Sequence, residues 1–250
     1  MKFLKFLKWL FSLAFLAGLA WTCFFVWSEW ICPDPQEVAE EEKILMQMKH
    51  EELLDMNLSE SKKYPFVVVI NPAHGGGDSG EKSDTLLEKD VVLAISQKVK
   101  ELNVQEDIGI FLTRESDVNS DENMRREFLE KMKPDLYIDV HVGKKPQNNE
   151  AGTTVYYVTD YYNYQITNVG FADMMERNVV SSIEGVATGI FEDTENQYPL
   201  LKGVGCPSVA IEAGCLSGPV EGVLLGRESY QENIAAGILT TIEEVYKKVN

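Results

Sequence analysis

Cysteine, histidine and basic charge are all scarce in this chain: 4 Cys, 3 His and 23 Lys+Arg against 40 Asp+Glu in 250 residues. The cysteines are also badly placed for cross-linking. Cys23 lies inside a long apolar run and Cys32 just beyond it. Cys206 and Cys215 flank an extended segment that would hold them roughly 20 Å apart, against a limit near 7 Å for bridged Cα atoms. A disulfide framework is therefore excluded, and these residues read as small core hydrophobes. Stability must come from the apolar core, with a bound metal as a further candidate. The deficit of basic charge, a formal −17, excludes nucleic-acid binding by electrostatics. It reads as a solvated acidic face. Internal repeats and low-complexity tracts are absent as well, which leaves one ordinary core-forming domain as the default for this length.

What the chain does have is one long hydrophobic run. Lys2, Lys5 and Lys8 precede Trp9 to Trp27, 19 residues without a charge, long enough to cross a hydrocarbon core of about 30 Å. The run exceeds the roughly 7 to 15 apolar residues of a cleavable signal and no small-x-small site follows, so it reads as an uncleaved signal anchor. Trp21 and Thr22 before Cys23 do not fit a lipoprotein cleavage box. The lysines before the span place residues 1–8 in the cytoplasm and everything after residues 9–31 outside. Trp27 and Trp30 suit the outer interface. Removing the three N-terminal positive charges from the whole-chain −17 leaves −20 on residues 28 to 250.

Residues 32–64 are acidic, with apolar residues in rough helical spacing, and read as a partly helical stalk in which His50 is a solvated surface residue. From 65 to 250 short β-rich runs alternate with amphipathic segments. That pattern predicts a single α/β domain with a mostly parallel sheet flanked by helices. Strands are expected at 66–70, 108–112, 135–140, 153–158 and 208–212. Helices are expected at 88–102, 121–132, 168–183 and 230–249.

Four residues converge under this reading. His74 and His141 follow strand ends, Glu212 closes a strand, and Glu88 opens the helix after the first strand. Ligands gather beyond the carboxyl ends of parallel strands in such sheets. Two imidazoles, a carboxylate and a spare carboxylate are what a hydrolytic zinc site needs. Taken alone, each imidazole also fits a buried structural histidine.

Order and spacing add a resemblance. Asn71-Pro72-Ala73-His74-Gly75-Gly76, Leu87-Glu88-Lys89-Asp90, Leu112-Thr113-Arg114, Asp135-Leu136-Tyr137-Ile138 leading to His141, and Pro207-Ser208-Val209-Ala210-Ile211-Glu212-Ala213-Gly214 resemble the zinc-dependent N-acetylmuramoyl-L-alanine amidases of the Amidase_3 type. The resemblance spans roughly 65 to 248. A short tail, one span and a bare catalytic domain are similar to the membrane-anchored, germination-type spore-cortex members. It implies His74, Glu88 and His141 as ligands of Zn2+ and Glu212 as the general base that activates the zinc-bound water. The implied substrate is peptidoglycan, at the amide joining N-acetylmuramoyl residues to L-alanine. An activating protein partner is left open. So is a catalytically impaired, amidase-like protein that binds or regulates the cell wall, or a zinc peptidase using the same residues.

Arg125 is a structural or supporting candidate in the same pattern, while Arg114 and Asp117 are expected to organise a loop. Tyr156, Tyr157, Tyr161, Tyr162 and Tyr164 read as packing residues or as the lining of a glycan groove. The pattern departs from the family's Asp-Pro-Gly-His at Asn71 and Ala73, from its usual residues after the second histidine at Val142-Gly143, and from a frequent asparagine at Glu130. The lost carboxylate at 71 is expected to weaken the orientation of a ligand, and Ala73 to restrict the backbone.

Overall fold

The computed structural model describes residues 2–26, 34–143, 152–161 and 165–250. Two compact units are present, residues 1–49 and 50–250. The first holds helix α1 (Lys2–Val26), in which Phe6–Val26 is a 21-residue segment apolar enough to cross a membrane. Trp27, Trp30 and Cys32 lie outside the described residues. Helix α2 (Pro35–Ser61) begins in this unit and ends in the next.

The second unit is built on a six-stranded sheet. Its strands are β1 (Phe66–Pro72), β2 (Ile108–Leu112), β3 (Leu136–His141), β4 (Thr153–Tyr157), β5 (Ala187–Glu192) and β6 (Ser208–Glu212), in spatial order β2-β1-β3-β6-β4-β5. All neighbouring pairs are parallel except β4 with β6. Side chains alternate between the two faces of a strand, and both faces are covered, which is why β1, β2, β3 and β6 are predominantly apolar. Val68, Ile70, Leu136, Ile138 and Val209 face one core cluster, whereas Val69, Phe111, Tyr137 and Ala210 face the other.

On the first face lie α3 (Glu88–Leu102), α5 (Asn168–Ile183) and α7 (Glu228–Val249). The α3 stripe Val91, Val92, Ile95 and Val99 is at most 2% exposed, and removing Ile95 to alanine would cost about 2–5 kcal/mol. On the second face lies α4 (Glu122–Met132), capped by Asp121 accepting from the Met124 amide and ended by Lys133 in the left-handed region before Pro134. A 3-10 turn, Pro199–Leu201, and a short helix α6 (Glu221–Leu225) complete the unit. Neither was expected from the sequence, nor was β5.

One reading is corrected on this second face. His50, expected to be solvated, is 6% exposed and stands 3.6 Å from Glu127 of α4. His50, Leu54, Asn57 and Ser61 form the buried stripe of α2, and Leu54 enters the core cluster. A stripe at helical spacing docks a helix even when its exposed face is strongly charged. The compact unit thus reaches back from residue 65 to His50.

Candidate metal centre

Beyond the carboxyl ends of β1 and β3 the chain turns sharply, with positive φ at His74, Gly75 and Gly76 and at Gly143. His74 itself adopts a positive φ of 60°, an uncommon conformation for a non-glycine residue that occurs at functional sites. Ala73 is not among the positive-φ residues. It is buried, its N–H donates to the Val140 carbonyl at 3.1 Å, and its own carbonyl accepts from Arg114. Alanine at 73 therefore imposes no strain, contrary to the expectation from the family pattern.

Several groups hold this turn. Arg114 is fully buried and donates to the carbonyls of Pro72, Ala73 and Lys89. Asp117 accepts from the Gly76 amide at 2.7 Å and from Lys89 Nζ at 2.6 Å. Together they tie the glycine turn to the first turn of α3, the loop-organising part expected of them. Arg125 donates to the His74 carbonyl from α4.

Helix α3 has no side-chain cap, because its N-cap is the apolar Leu87, and its first residue, Glu88, is directed into the centre. Glu88 Oε2 stands 3.2 Å from His74 Nε2, and Glu88 Oε1 stands 3.2 Å from His141 Nδ1. The carboxylate is fixed by the backbone amides of Glu81 at 2.9 Å and Val142 at 3.2 Å. The two imidazoles lie 5.6 Å apart, perpendicular to each other. Donor atoms of His74, Glu88 and His141 all fall within 4.8 Å of one another. Tetrahedral bonds of about 2.0–2.1 Å to a shared zinc need neighbouring donors roughly 3.3 Å apart. One nitrogen of each imidazole lies at about that distance from one oxygen of Glu88, and two imidazoles with a carboxylate are a donor set suited to such an ion.

Each imidazole turns its other nitrogen to a carboxylate. His74 Nδ1 is 2.8 Å from Asp78 Oδ2, and His141 Nε2 is 3.3 Å from Asp139 Oδ1. Carboxylate partners on the outer nitrogen fix tautomer and ring orientation at metal sites. Neither aspartate was found in the sequence: Asp139 hides within a buried strand and Asp78 within a glycine-rich turn. Burial lowers the pKa of His141, but the charge of Asp139 and hydrogen bonds to Asp139 and Glu88 outweigh it and hold the ring up at about 10. Burial raises that of Glu88, yet hydrogen bonds from His141 and His74 bring it down to about 2.

Two glycines make room. Gly80, at φ +61°, would put a Cβ 2.5 Å from both Glu88 Oε2 and the His74 ring. Gly143, at φ +142°, would put one 2.5 Å from Glu81 Cβ and 3.2 Å from Glu88 Oε2. The departure at Gly143 is thus a residue the site requires.

Glu212 ends β6 and is the register partner of His141 on β3. It is buried, and its Oε1 accepts from the Tyr198 hydroxyl at 2.8 Å. Tyr198 packs against the His141 ring at 5.1 Å and against Tyr156 at 4.8 Å. Sequence reasoning missed Tyr198 because it stands in an irregular segment with no motif. Tyr156 is a core residue beneath it, and Tyr162 and Tyr164 lie outside the described residues. A cleft of about 230 Å³ opens beside the centre, lined by His74, Asp78, Arg125, Asp139, His141 and Tyr198 among others. Cys206 and Cys215 are buried and unbridged.

The sequence profile described as N-acetylmuramoyl-L-alanine amidase matches residues 68–244. A germination-specific N-acetylmuramoyl-L-alanine amidase of Bacillus subtilis is 27% identical over 188 residues, 69% of this chain and 76% of the relative. Among solved structures, an N-acetylmuramoyl-L-alanine amidase from Clostridium difficile 630 superposes with a TM-score of 0.66 at 26% identity, covering 74% of this chain and 98% of that one. The CwlD amidase of Clostridioides difficile, solved in complex with the GerS lipoprotein, gives 0.61 at 26% identity over 74% of this chain and 100% of that one.

Proposed function

Because this chain belongs to the N-acetylmuramoyl-L-alanine amidase family, we propose that it hydrolyses the amide between N-acetylmuramoyl residues and L-alanine in peptidoglycan, with Zn2+ held by His74, Glu88 and His141. The observation that carries the reading is the pairing of the two oxygens of Glu88 with one nitrogen of each imidazole, both at 3.2 Å. Zinc bound there supplies a Lewis acid toward the scissile carbonyl and a water acidified to a pKa near 7.

The chain supplies the rest. Glu212 takes a proton from the attacking water and returns it to the departing alanine nitrogen. Its distance from the ligands is set by β6 lying beside β3. The Tyr198 hydroxyl, donating to Oε1, holds the carboxylate in one rotamer. Asp78 and Asp139 hold the imidazoles. Arg125 supports the His74 backbone without contributing a ligand.

The location belongs to the same reading. Residues 1–8 form a cytoplasmic tail, 9–31 the anchor and 32–64 an acidic stalk whose last turns dock on the catalytic domain, which works outside the membrane. The substrate is then wall peptidoglycan next to that membrane. A relative solved in complex with a lipoprotein supports a protein partner for this chain too.

Full-length protein in detergent, loaded with zinc and incubated with peptidoglycan, should release new L-alanine amino termini and leave intact lactyl carboxylates by mass. Glu212→Ala should reduce the rate by about 10²–10⁴-fold. Equal rates for Glu212→Ala and the parent would sink the amidase mechanism. Cleavage within the stem peptide instead would identify a zinc peptidase.

A further inference from the structure

Asn71 and Asp139 are register partners on β1 and β3, so their side chains leave neighbouring strands on the same face. Both are buried, at 1% and 3% exposure. Asn71 Nδ2 donates to Asp139 Oδ1 at 2.7 Å, and Asn71 Oδ1 accepts from the Thr113 hydroxyl just past β2. The same Asp139 oxygen stands 3.3 Å from His141 Nε2. A polar chain thus crosses three adjacent strands, from Thr113 to Asn71 to Asp139 to His141.

Donor and acceptor chemistry gives this chain a direction. A carboxylate only accepts, and an amide nitrogen only donates, so Asp139 receives from Asn71 Nδ2 and, toward His141 Nε2 at 3.3 Å, can act only as acceptor. With a cation in place of the proton on Nδ1, that arrangement leaves the Nδ1 lone pair, 3.2 Å from Glu88 Oε1, to the metal. An aspartate at position 71 would instead set a second carboxylate against Asp139 at hydrogen-bond distance, two like charges out of reach of water. An amide at 71 and a carboxylate at 139 therefore form a matched pair.

We propose that Asp139, held by Asn71, is the positioning carboxylate of His141, and that Asn71 is the complement of Asp139 rather than a degraded form of an aspartate. The inference rests on His141 being a metal ligand. It adds two residues that act through His141 and set how tightly the centre grips its cation.

The test uses full-length protein in detergent with Co2+ alone as probe, reading its dissociation constant by chelator competition and its d–d absorption band. Asp139→Asn should weaken binding by about tenfold to a hundredfold and shift the band. Asn71→Asp should weaken it comparably. The double variant Asn71→Asp/Asp139→Asn should return to within about threefold of the parent, because the amide at 139 then accepts from His141 and donates to the carboxylate at 71; such coupling is expected within one network. Packing alone would make the two losses add. Asn71→Ala, which leaves Asp139 in place, should weaken Co2+ by about tenfold and decides the matter if Asp139→Asn does not fold. A parent that binds Co2+ with unchanged affinity in Asp139→Asn or Asn71→Ala, or a double variant no better than the worse single, overturns this proposal alone. A parent that binds no Co2+ overturns it together with the metal reading.

Discussion

At the scale of single residues, the centre is defined as much by what holds the candidate ligands as by the ligands. Tyr198 illustrates this. Its hydroxyl donates to Glu212 while its ring rests on His141, so one side chain braces both the proposed base and a proposed ligand. A hydrogen bond to a charged group is worth about 1.5–3 kcal/mol. Tyr198→Phe keeps the ring and loses only that bond, and should lower kcat by roughly tenfold to a hundredfold. Steady-state kinetics on soluble muropeptides would check it, with KM expected to stay within about twofold. A kcat equal to the parent's would show that the carboxylate is held by other contacts.

At the scale of elements, the second half of α2 behaves as part of the domain through its buried stripe. Burial lowers the pKa of His50 below 6.5, against the smaller opposing effect of Glu127. Below pH 6.5 the unfolded chain takes up a proton at this ring before the folded one does. The stabilising contribution of neutral His50 is therefore complete above pH 6.5 and is lost as pH falls from there toward the folded-state value. His50→Leu should remove that share of the acid sensitivity. Thermal unfolding at pH 7 and pH 5.5 should show a smaller melting-temperature drop in the variant than in the parent. Parallel drops would contradict the assignment.

The same elements explain what could be read from the sequence. Strands β1, β2, β3 and β6 were legible because both their faces are covered, which leaves unbroken apolar runs such as Val67 to Ile70 and Val209 to Ile211. The strand β5 was not, since it carries Gly189 at positive φ and is only partly buried at the sheet edge. His74, Glu88, His141 and Glu212 were legible from order along the chain. Asp139, Asp78 and Tyr198 were not, because a partner of a ligand is defined by distance in space, and Asp139 in a buried strand looks like an interruption until Asn71 is seen beside it. His50 failed for a related reason: the charges around it, Lys49, Glu51 and Glu52, describe the outward face of α2 and conceal the inward one.

At the scale of the whole molecule, the domain lacks disulfides among its described residues, and a cation bound only by the folded state would add to its stability. At a free zinc concentration a thousandfold above the dissociation constant the gain is about 4 kcal/mol, on the order of 10 °C in melting temperature for a domain of this size. Stripping the metal with a chelator should lower the melting temperature by that order, and zinc should restore it. Calorimetry or fluorescence melts would read the shift. In His74→Ala the chelator should have little effect, because the binding that couples to folding is lost.

The side-by-side placement of His141 and Glu212 on β3 and β6 bears on how such a protein can change over generations. Their spacing is a lateral strand separation of about 4.8 Å, and moving one against the other would require slipping the register of every residue pair between the two strands. Gradual adjustment of that distance is closed to single substitutions. Mutational drift is left to the positions around it, such as 71 and 73, where matched replacements can accumulate while the pair of acidic and imidazole groups stays where the sheet puts it. Sequence divergence near this centre is then a poor gauge of lost chemistry, and the pairing of changes across neighbouring strands is the better one.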